Sequence, residues 1–228
     1  MVKERSPTVV VLGAAGFVGR HVCRELARQD HHVVGLGHGR WFDEEWRKWG
    51  LADWVETDIT LEALQRLHLQ EPIRAIVHCA GSGAVAYSYS RPFEDFQRAT
   101  VTTAATLEWV RLTQTKDCRV VIVSSAAVYG DQGDSDATEN SVKSPISPYG
   151  FTSSRLRVFA IRTAGFLMSR RALCDSSRFM AMGFASNYCG TRSASSSAAC
   201  TSSSGLGMNC ETGFMWKTQP GFCVLLRW

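Results

Sequence analysis

Val9-Val10-Val11-Leu12-Gly13-Ala14-Ala15-Gly16-Phe17-Val18-Gly19 is the stretch that decides the fold. A short apolar, β-branched run is the sequence form of a strand buried in a parallel sheet. It ends in glycines spaced G-x-x-G-x-x-G and passes directly into a segment read as a helix from Phe17 to Asp30. Glycines let the backbone turn sharply and approach a pyrophosphate, and the amides at the start of the following helix favour its negative charge. A glycine pattern alone would equally suit a tight turn with no ligand. The strand before it and the helix after it supply the context a phosphate cradle needs.

Working outward, strands and helices alternate. Val33-Val34-Gly35-Leu36 reads as a second strand, followed by a Trp-rich helical stretch from Phe42 to Gly50. A short strand around Trp54-Val55-Glu56 precedes Asp58-Ile59 and a helix from Thr60 to about His68. The strand Arg74 to Cys79 runs into Ala80-Gly81-Ser82-Gly83, and a long helix is expected from about Pro92 to Gln114. Arg119 to Ser125 is another buried strand, ending in hydroxyls. This alternation predicts an α/β fold, a doubly wound parallel sheet with ligand groups beyond the carboxyl ends of its strands.

Composition divides the chain in two. Its 228 residues bury one core easily. A net charge of +4 is too mild to indicate nucleic acid, and no apolar run approaches the length of a membrane span. The charged first residues lead straight into the first strand without a secretory pattern, so a cytoplasmic setting is expected, with Cys23, Cys79 and Cys118 as reduced, packed thiols. After Phe151 only Asp175 and Glu211 are acidic, whereas nineteen acidic residues precede it. The cysteines of this last third, Cys174, Cys189, Cys200, Cys210 and Cys223, contain no C-x-x-C pair and match no zinc framework. No metal is expected.

Gly13 to Gly19, Asp58-Ile59, His78-Cys79-Ala80-Gly81, Ser124 to Gly130 and Ser147-Pro148-Tyr149-Gly150-Phe151 together resemble the extended short-chain dehydrogenase/reductases, and more narrowly their NAD-dependent epimerase/dehydratase branch. The resemblance covers about residues 8–151, with the motifs in family order. It implies a Rossmann fold over 1–151 binding NAD or NADP, and a nucleotide sugar as substrate. The cofactor positions it implies are Gly13, Gly16, Phe17, Val18, Gly19, Asp58, Ile59, Cys79, Ala80 and Gly81. Tyr149 matches the catalytic tyrosine that takes a proton from a sugar hydroxyl, and Ser125 the hydroxyl that hydrogen-bonds the same oxygen. For Ser124 a strand-end role and for Tyr129 a packing role are expected. Asp58 suits an adenine contact or, equally, a helix cap just before Thr60.

The departures matter as much. Dehydratases of the branch carry Asp-Glu after the catalytic hydroxyl, where this chain has Ala126-Ala127, which cannot do acid-base work. That favours an epimerase or simple oxidoreductase ancestry over a dehydratase. The acidic residue that grips the adenosine ribose in NAD-using members is replaced by Gly37, followed by His38-Gly39-Arg40. Arg40 could meet a 2′-phosphate or simply be solvated, so NAD and NADP both stay open. Ala99 stands where many epimerases have an active-site Asn. Ser153 stands where the family lysine should be. A free tyrosine titrates at about 10 and needs a neighbouring cation to act near neutrality.

Beyond Ser153 the resemblance stops, and Arg192 to Ser204 has no apolar period. So abrupt a change inside a catalytic motif points to a reading-frame error, which the genetic code can test. Codons formed from the last base of each codon and the first two of the next force Gly at Met180–Ala181 and again at Met182–Gly183. They also force Leu at Asn187–Tyr188 and at Tyr188–Cys189. The other junctions between Phe179 and Thr191 permit the string Tyr-Gly-Asp-Gly-Leu-Arg-Lys-Gln-Leu-Leu-Trp-Asp, which resembles the family segment after its sixth strand. The same offset after Phe151 permits His-Lys-Leu and restores Tyr-x-x-x-Lys. A genuine divergent tail is the alternative.

The expectation is therefore an incomplete Rossmann sheet lacking its sixth strand, with residues 152–228 an irregular, out-of-frame tail holding no domain. A helix from about Leu156 to Arg171, continuing from Tyr149, is its one expected regular element. Function by descent is NAD(P)-dependent epimerisation of a nucleotide sugar, impaired in this chain. A non-catalytic dinucleotide-binding remnant, an unstable truncated product, and a dehydratase or reductase of the same family are the alternatives. A homodimer is open to an intact member and in doubt here.

Overall fold

The first strand, β1 (Thr8–Leu12), is fully buried along its length and lies inside a six-stranded sheet. The computed structural model describes residues 6–67, 69, 73–113, 118–133, 137–138, 140–168, 179–182, 207–209, 214–219 and 222–227. In chain order the main elements are α1 (Phe17–Arg28), β2 (His32–Gly37), β3 (Asp53–Glu56), α2 (Leu61–Gln65), β4 (Ile73–His78), α3 (Val85–Ser90), α4 (Pro92–Thr113), β5 (Arg119–Val123), α5 (Pro148–Met168) and β6 (Phe179–Met182). Short 3-10 turns occupy Glu45–Trp49 and Ala126–Val128.

The strand order is β3-β2-β1-β4-β5-β6, and each pairing is parallel. This is the doubly wound Rossmann arrangement, whose order reverses between β1 and β4 and opens a crevice beyond their carboxyl ends. Successive β1 side chains feed the two layers. Val9 and Val11 join Val22, Cys23 and Leu26 of α1, while Val10 and Leu12 join Leu64, Leu107, Trp109 and Ala160 on the other face. Each such fully buried aliphatic side chain contributes about 1.5–3 kcal/mol, which is why the uninterrupted valines fix this strand at the centre.

Several boundaries differ from the sequence reading. The Trp-rich helix shrinks to one 3-10 turn because Glu44 (φ 54°) and Gly50 (φ 82°) take left-handed conformations at its ends. The helix expected from Thr60 to His68 is only Leu61–Gln65, and His68 lies outside the described residues. α3, with no apolar period of its own, was not expected.

The expectation that the sheet lacks a sixth strand is corrected. Phe179-Met180-Ala181-Met182 pairs with β5 from Val120↔Phe179 to Val123↔Met182. A four-residue apolar run suffices for a parallel edge partner, and its serine-rich surroundings conceal it in the sequence. α5 runs through residue 152 without a break, and the last residues of the helix expected there, Ser169 to Arg171, lie outside the described residues. Three short strands, β7 (Gly207–Asn209), β8 (Phe214–Gln219) and β9 (Phe222–Arg227), pair antiparallel in a second sheet. The rest of the expected irregular tail, Arg192 to Ser204 included, lies outside the described residues.

Candidate functional site

The glycine turn sits at the crevice. Gly13 (φ +78°) donates its N–H to the Leu36 carbonyl at 2.7 Å, and Gly16 donates to the Gly13 carbonyl at 3.0 Å. A Cβ on Gly13 would stand 2.8 Å from the Ala80 nitrogen and 2.9 Å from the Cys79 carbonyl carbon, so the turn is wedged against the exit of β4. A Cβ on Gly19 would lie 2.1 Å from the Gly13 oxygen, so α1 packs directly on the turn. Gly16 is different. It is exposed, and its Cβ would meet only the Gly13 oxygen, at 3.2 Å. That open backbone, at the N-cap of a twelve-residue helix with no side-chain cap of its own, is where a diphosphate can approach. Phe17 and Val18 open α1 beside it, with Phe17 about half exposed.

One flank of the turn is the exit of β2. A Cβ on Gly37 would stand 3.5 Å from Gly13 Cα, and one on Gly39 only 2.4 Å from Ala15 Cβ. The loop carrying His38 and Arg40, both exposed, is therefore folded onto the turn. Thr57 donates its N–H to the Gly37 carbonyl at 2.9 Å, which brings the exit of β3 to the same place. Asp58 is exposed there and is not the helix cap. That role falls to Thr60, whose hydroxyl accepts from the Ala63 N–H at 3.2 Å. Ile59 packs into the core with Leu36 and Leu64.

The other flank is the exit of β4. Cys79 donates its N–H to the Leu12 carbonyl at 2.8 Å, and Ala80 is half-buried behind it. Gly81 (φ +147°) and Gly83 (φ +64°) have nothing within 4 Å of a Cβ. Ser82, between them, donates to the Asp95 carboxylate, which is buried in the first turn of α4 with its second oxygen unpartnered. Nothing in the sequence marked this pair, since an acid in a first helical turn reads as a dipole contact.

Ser125 leaves β5 and accepts the Ala127 N–H at 3.2 Å, capping the 3-10 turn while its own proton stays available to donate. The N-terminus of α5 packs on that turn. Ser147 caps it through the Gly150 N–H at 3.0 Å, and a Cβ on Gly150 would lie 2.4 Å from the Ala127 oxygen. This close seating brings half-buried Tyr149 to the turn that holds Ser125. Ser153 lies one helical turn further on, and Thr152 is buried beside it. Ser124 is buried with its hydroxyl unpartnered, and Tyr129 is 8% exposed, packed as expected. His78 is buried at the end of β4, where desolvation pushes its pKa down to about 4 and keeps the ring neutral.

Among the described residues no group of three or more His, Cys, Asp or Glu could hold a metal ion. Cys23, Cys79 and Cys118 are free thiols. Burial pushes Cys79 and Cys118 up to about 12 and Cys23 higher still, so none is a ready nucleophile. No described helix is long and apolar enough to cross a membrane. The crevice thus holds a glycine turn open at Gly16, one flank packed onto it from β2 and β3, one flank open at Gly81 and Gly83, and the 3-10 turn and helix that carry Ser125 and Tyr149.

Known proteins resemble this chain in sequence and fold. The chain is 32% identical over 152 residues to the UDP-glucose 4-epimerase of Yersinia pestis, an overlap of 62% of this chain and 44% of that relative. With the Azospirillum brasilense UDP-glucose 4-epimerase the identity is 33% over 164 residues, 70% of this chain and 45% of the relative. It thus spans less than half the length of these relatives. The crystal structure of UDP-glucose 4-epimerase from Brucella ovis in complex with NAD superposes with a TM-score of 0.62 at 28% identity, covering 71% of this chain and 48% of that one. The family model for the NAD dependent epimerase/dehydratase family matches residues 9–154, from β1 through the glycine turn to the helix that carries Tyr149, and the chain belongs to that family.

Proposed function

We propose that this chain is the cofactor-binding part of a nucleotide-sugar 4-epimerase, able to hold a dinucleotide and impaired in turnover. The observation that carries the reading is the cradle itself. Gly16 is open above a turn pinned by Gly13 and Gly19, Gly81 opens the opposite flank, and Ser125 and Tyr149 lie on the 3-10 turn and helix beyond β5, where the reactive end of a bound dinucleotide would be expected. The similar epimerases act on UDP-glucose by name, which makes a UDP-hexose the substrate class.

When bound, the nicotinamide would supply the acceptor for the hydride that leaves the sugar carbon bearing the hydroxyl. The Gly16 turn and the α1 N-terminus would hold the diphosphate. Ser125 donates its free proton to the sugar oxygen. Tyr149 accepts the hydroxyl proton, which requires its phenolate form. Ser153 provides no charge to favour that form, and the cations flanking Tyr149 in sequence are engaged elsewhere. Lys143 lies over the Tyr129 ring at 5.7 Å and Arg155 over the Phe151 ring at 5.0 Å. With Ser153 in place of the family lysine, no cation stands one helical turn beyond Tyr149 to assist the proton transfer, so that step is expected to be slow. The frame change read after Phe151 accounts for the missing lysine and for the loss of family sequence beyond it.

The test is an assay with UDP-glucose and UDP-galactose on this chain beside a frame-restored chain. Turnover is expected from the restored chain and at most a trace from this one. Robust turnover by the unrestored chain would overturn the assignment of Ser153 as the defect.

A further inference from the structure

We propose that the adenosine-ribose end of the cradle is built for a 2′-phosphate, with Arg40 as the specificity-determining residue, so that the chain prefers NADP to NAD. This rests on the cradle being a dinucleotide site. In such sheets the end of the second strand lies beside the ribose, and an acid there accepts the 2′- and 3′-hydroxyls of NAD while repelling a phosphate. Here that position is Gly37, whose Cβ would face Gly13 Cα at 3.5 Å. The ribose therefore meets no carboxylate from β2.

What replaces the acid is basic. Gly39 is pressed onto Ala15 of the glycine turn, which holds His38 and Arg40 on either side of that contact. Both are exposed, and among the described residues neither has a hydrogen bond, ion pair or ring contact. Arg20 adds a second guanidinium. It donates to the Ala15 carbonyl at 2.7 Å, and its guanidinium lies 4.9 Å from the ring centroid of Trp41, the residue after Arg40. The Nε of Arg20 and the indole N–H of Trp41 are buried without partners, so this corner carries more donors than the protein uses. A phosphate dianion supplies acceptors for such a corner.

Two exposed acids compete: Asp58, at the β3 exit that Thr57 ties to Gly37, and Glu56. Glu56 pairs in register with Gly37, but it stands one strand further from the turn, about 4.8 Å. If Glu56 gripped the ribose, NAD would win.

The experiment is calorimetric titration of the full chain with NADP and NAD, repeated with Arg40→Ala, Gly37→Asp and Glu56→Gln. A lost charge-assisted contact to phosphate corresponds to about tenfold or more in affinity. NADP is expected to bind about tenfold tighter than NAD. Arg40→Ala should lose that margin with NAD unchanged, Gly37→Asp should reverse it, and Glu56→Gln should leave it intact. Equal or tighter binding of NAD by the parent chain overturns the proposal, as does an Arg40→Ala variant that weakens both cofactors alike. If neither cofactor binds, the dinucleotide site itself is refuted, and this preference with it.

Discussion

Replacing Gly19 with alanine sets two effects of known sign against each other. Gly19 lies inside α1, where alanine is intrinsically better than glycine by up to about 1 kcal/mol. Against that, the new Cβ would sit 2.1 Å from the Gly13 oxygen and 2.8 Å from Ala14 Cα. Both are backbone atoms of a turn held by its hydrogen bond to Leu36 and by contact with β4, so neither yields as a flexible side chain would. Relieving the contact means moving α1 away from the turn and loosening Val22, Cys23 and Leu26 from the first core layer. Overpacking of this kind costs about 1–3 kcal/mol. After the full helix gain is subtracted, Gly19→Ala should be less stable than the parent by up to about 2 kcal/mol. Urea unfolding followed by far-UV circular dichroism would show a lower midpoint at unchanged slope. A variant as stable as the parent, or more so, would mean that α1 does not rest on the turn, and the cradle geometry would be wrong.

His78 should make stability depend on acid. Its native pKa of about 4 lies below the usual imidazole value of about 6.5, so between them the unfolded chain binds the extra proton and stability falls as pH drops through that window. The contribution is fully present above about pH 6.5, and up to about 3 kcal/mol is lost by pH 4. Urea midpoints from pH 7 to 4.5 should fall more steeply for the parent than for His78→Asn, and parallel slopes would refute the buried neutral ring. Gly150→Ala places a Cβ 2.4 Å from the Ala127 oxygen and 3.1 Å from Pro145 Cβ. It should cost about 1–3 kcal/mol by lifting α5 from the turn that holds Ser125, and an unchanged thermal midpoint would contradict that seating.

The sheet was legible because its strands are unambiguous: Val9 to Leu12 and Val120 to Val123 have no helical period and no alternative partner but the core. The glycine turn was legible because three glycines at fixed spacing satisfy three separate demands, of which only that at Gly16 concerns a ligand. β6 was not legible. Phe179 to Met182 is too short to show a period, and its strand character comes from the open edge of β5. The Ser82–Asp95 pair and the seating of Gly39 on Ala15 were also hidden, because both depend on loops meeting across the crevice rather than on local pattern. Asp58 shows the opposite case, in which two sequence readings stood level until Thr60 was seen to cap α2.

Titration of the chain with NAD and NADP, read by quenching of the tryptophan fluorescence of Trp41 and Trp54 near Gly37, tests the central claim that the Gly13–Gly19 turn holds a dinucleotide. The account predicts saturable binding of at least one cofactor. It also predicts that Gly16→Val abolishes binding while leaving the urea midpoint close to the parent's, since a Cβ there meets only the Gly13 oxygen at 3.2 Å. Binding that survives Gly16→Val unchanged, or no binding of either cofactor by folded parent chain, would contradict it.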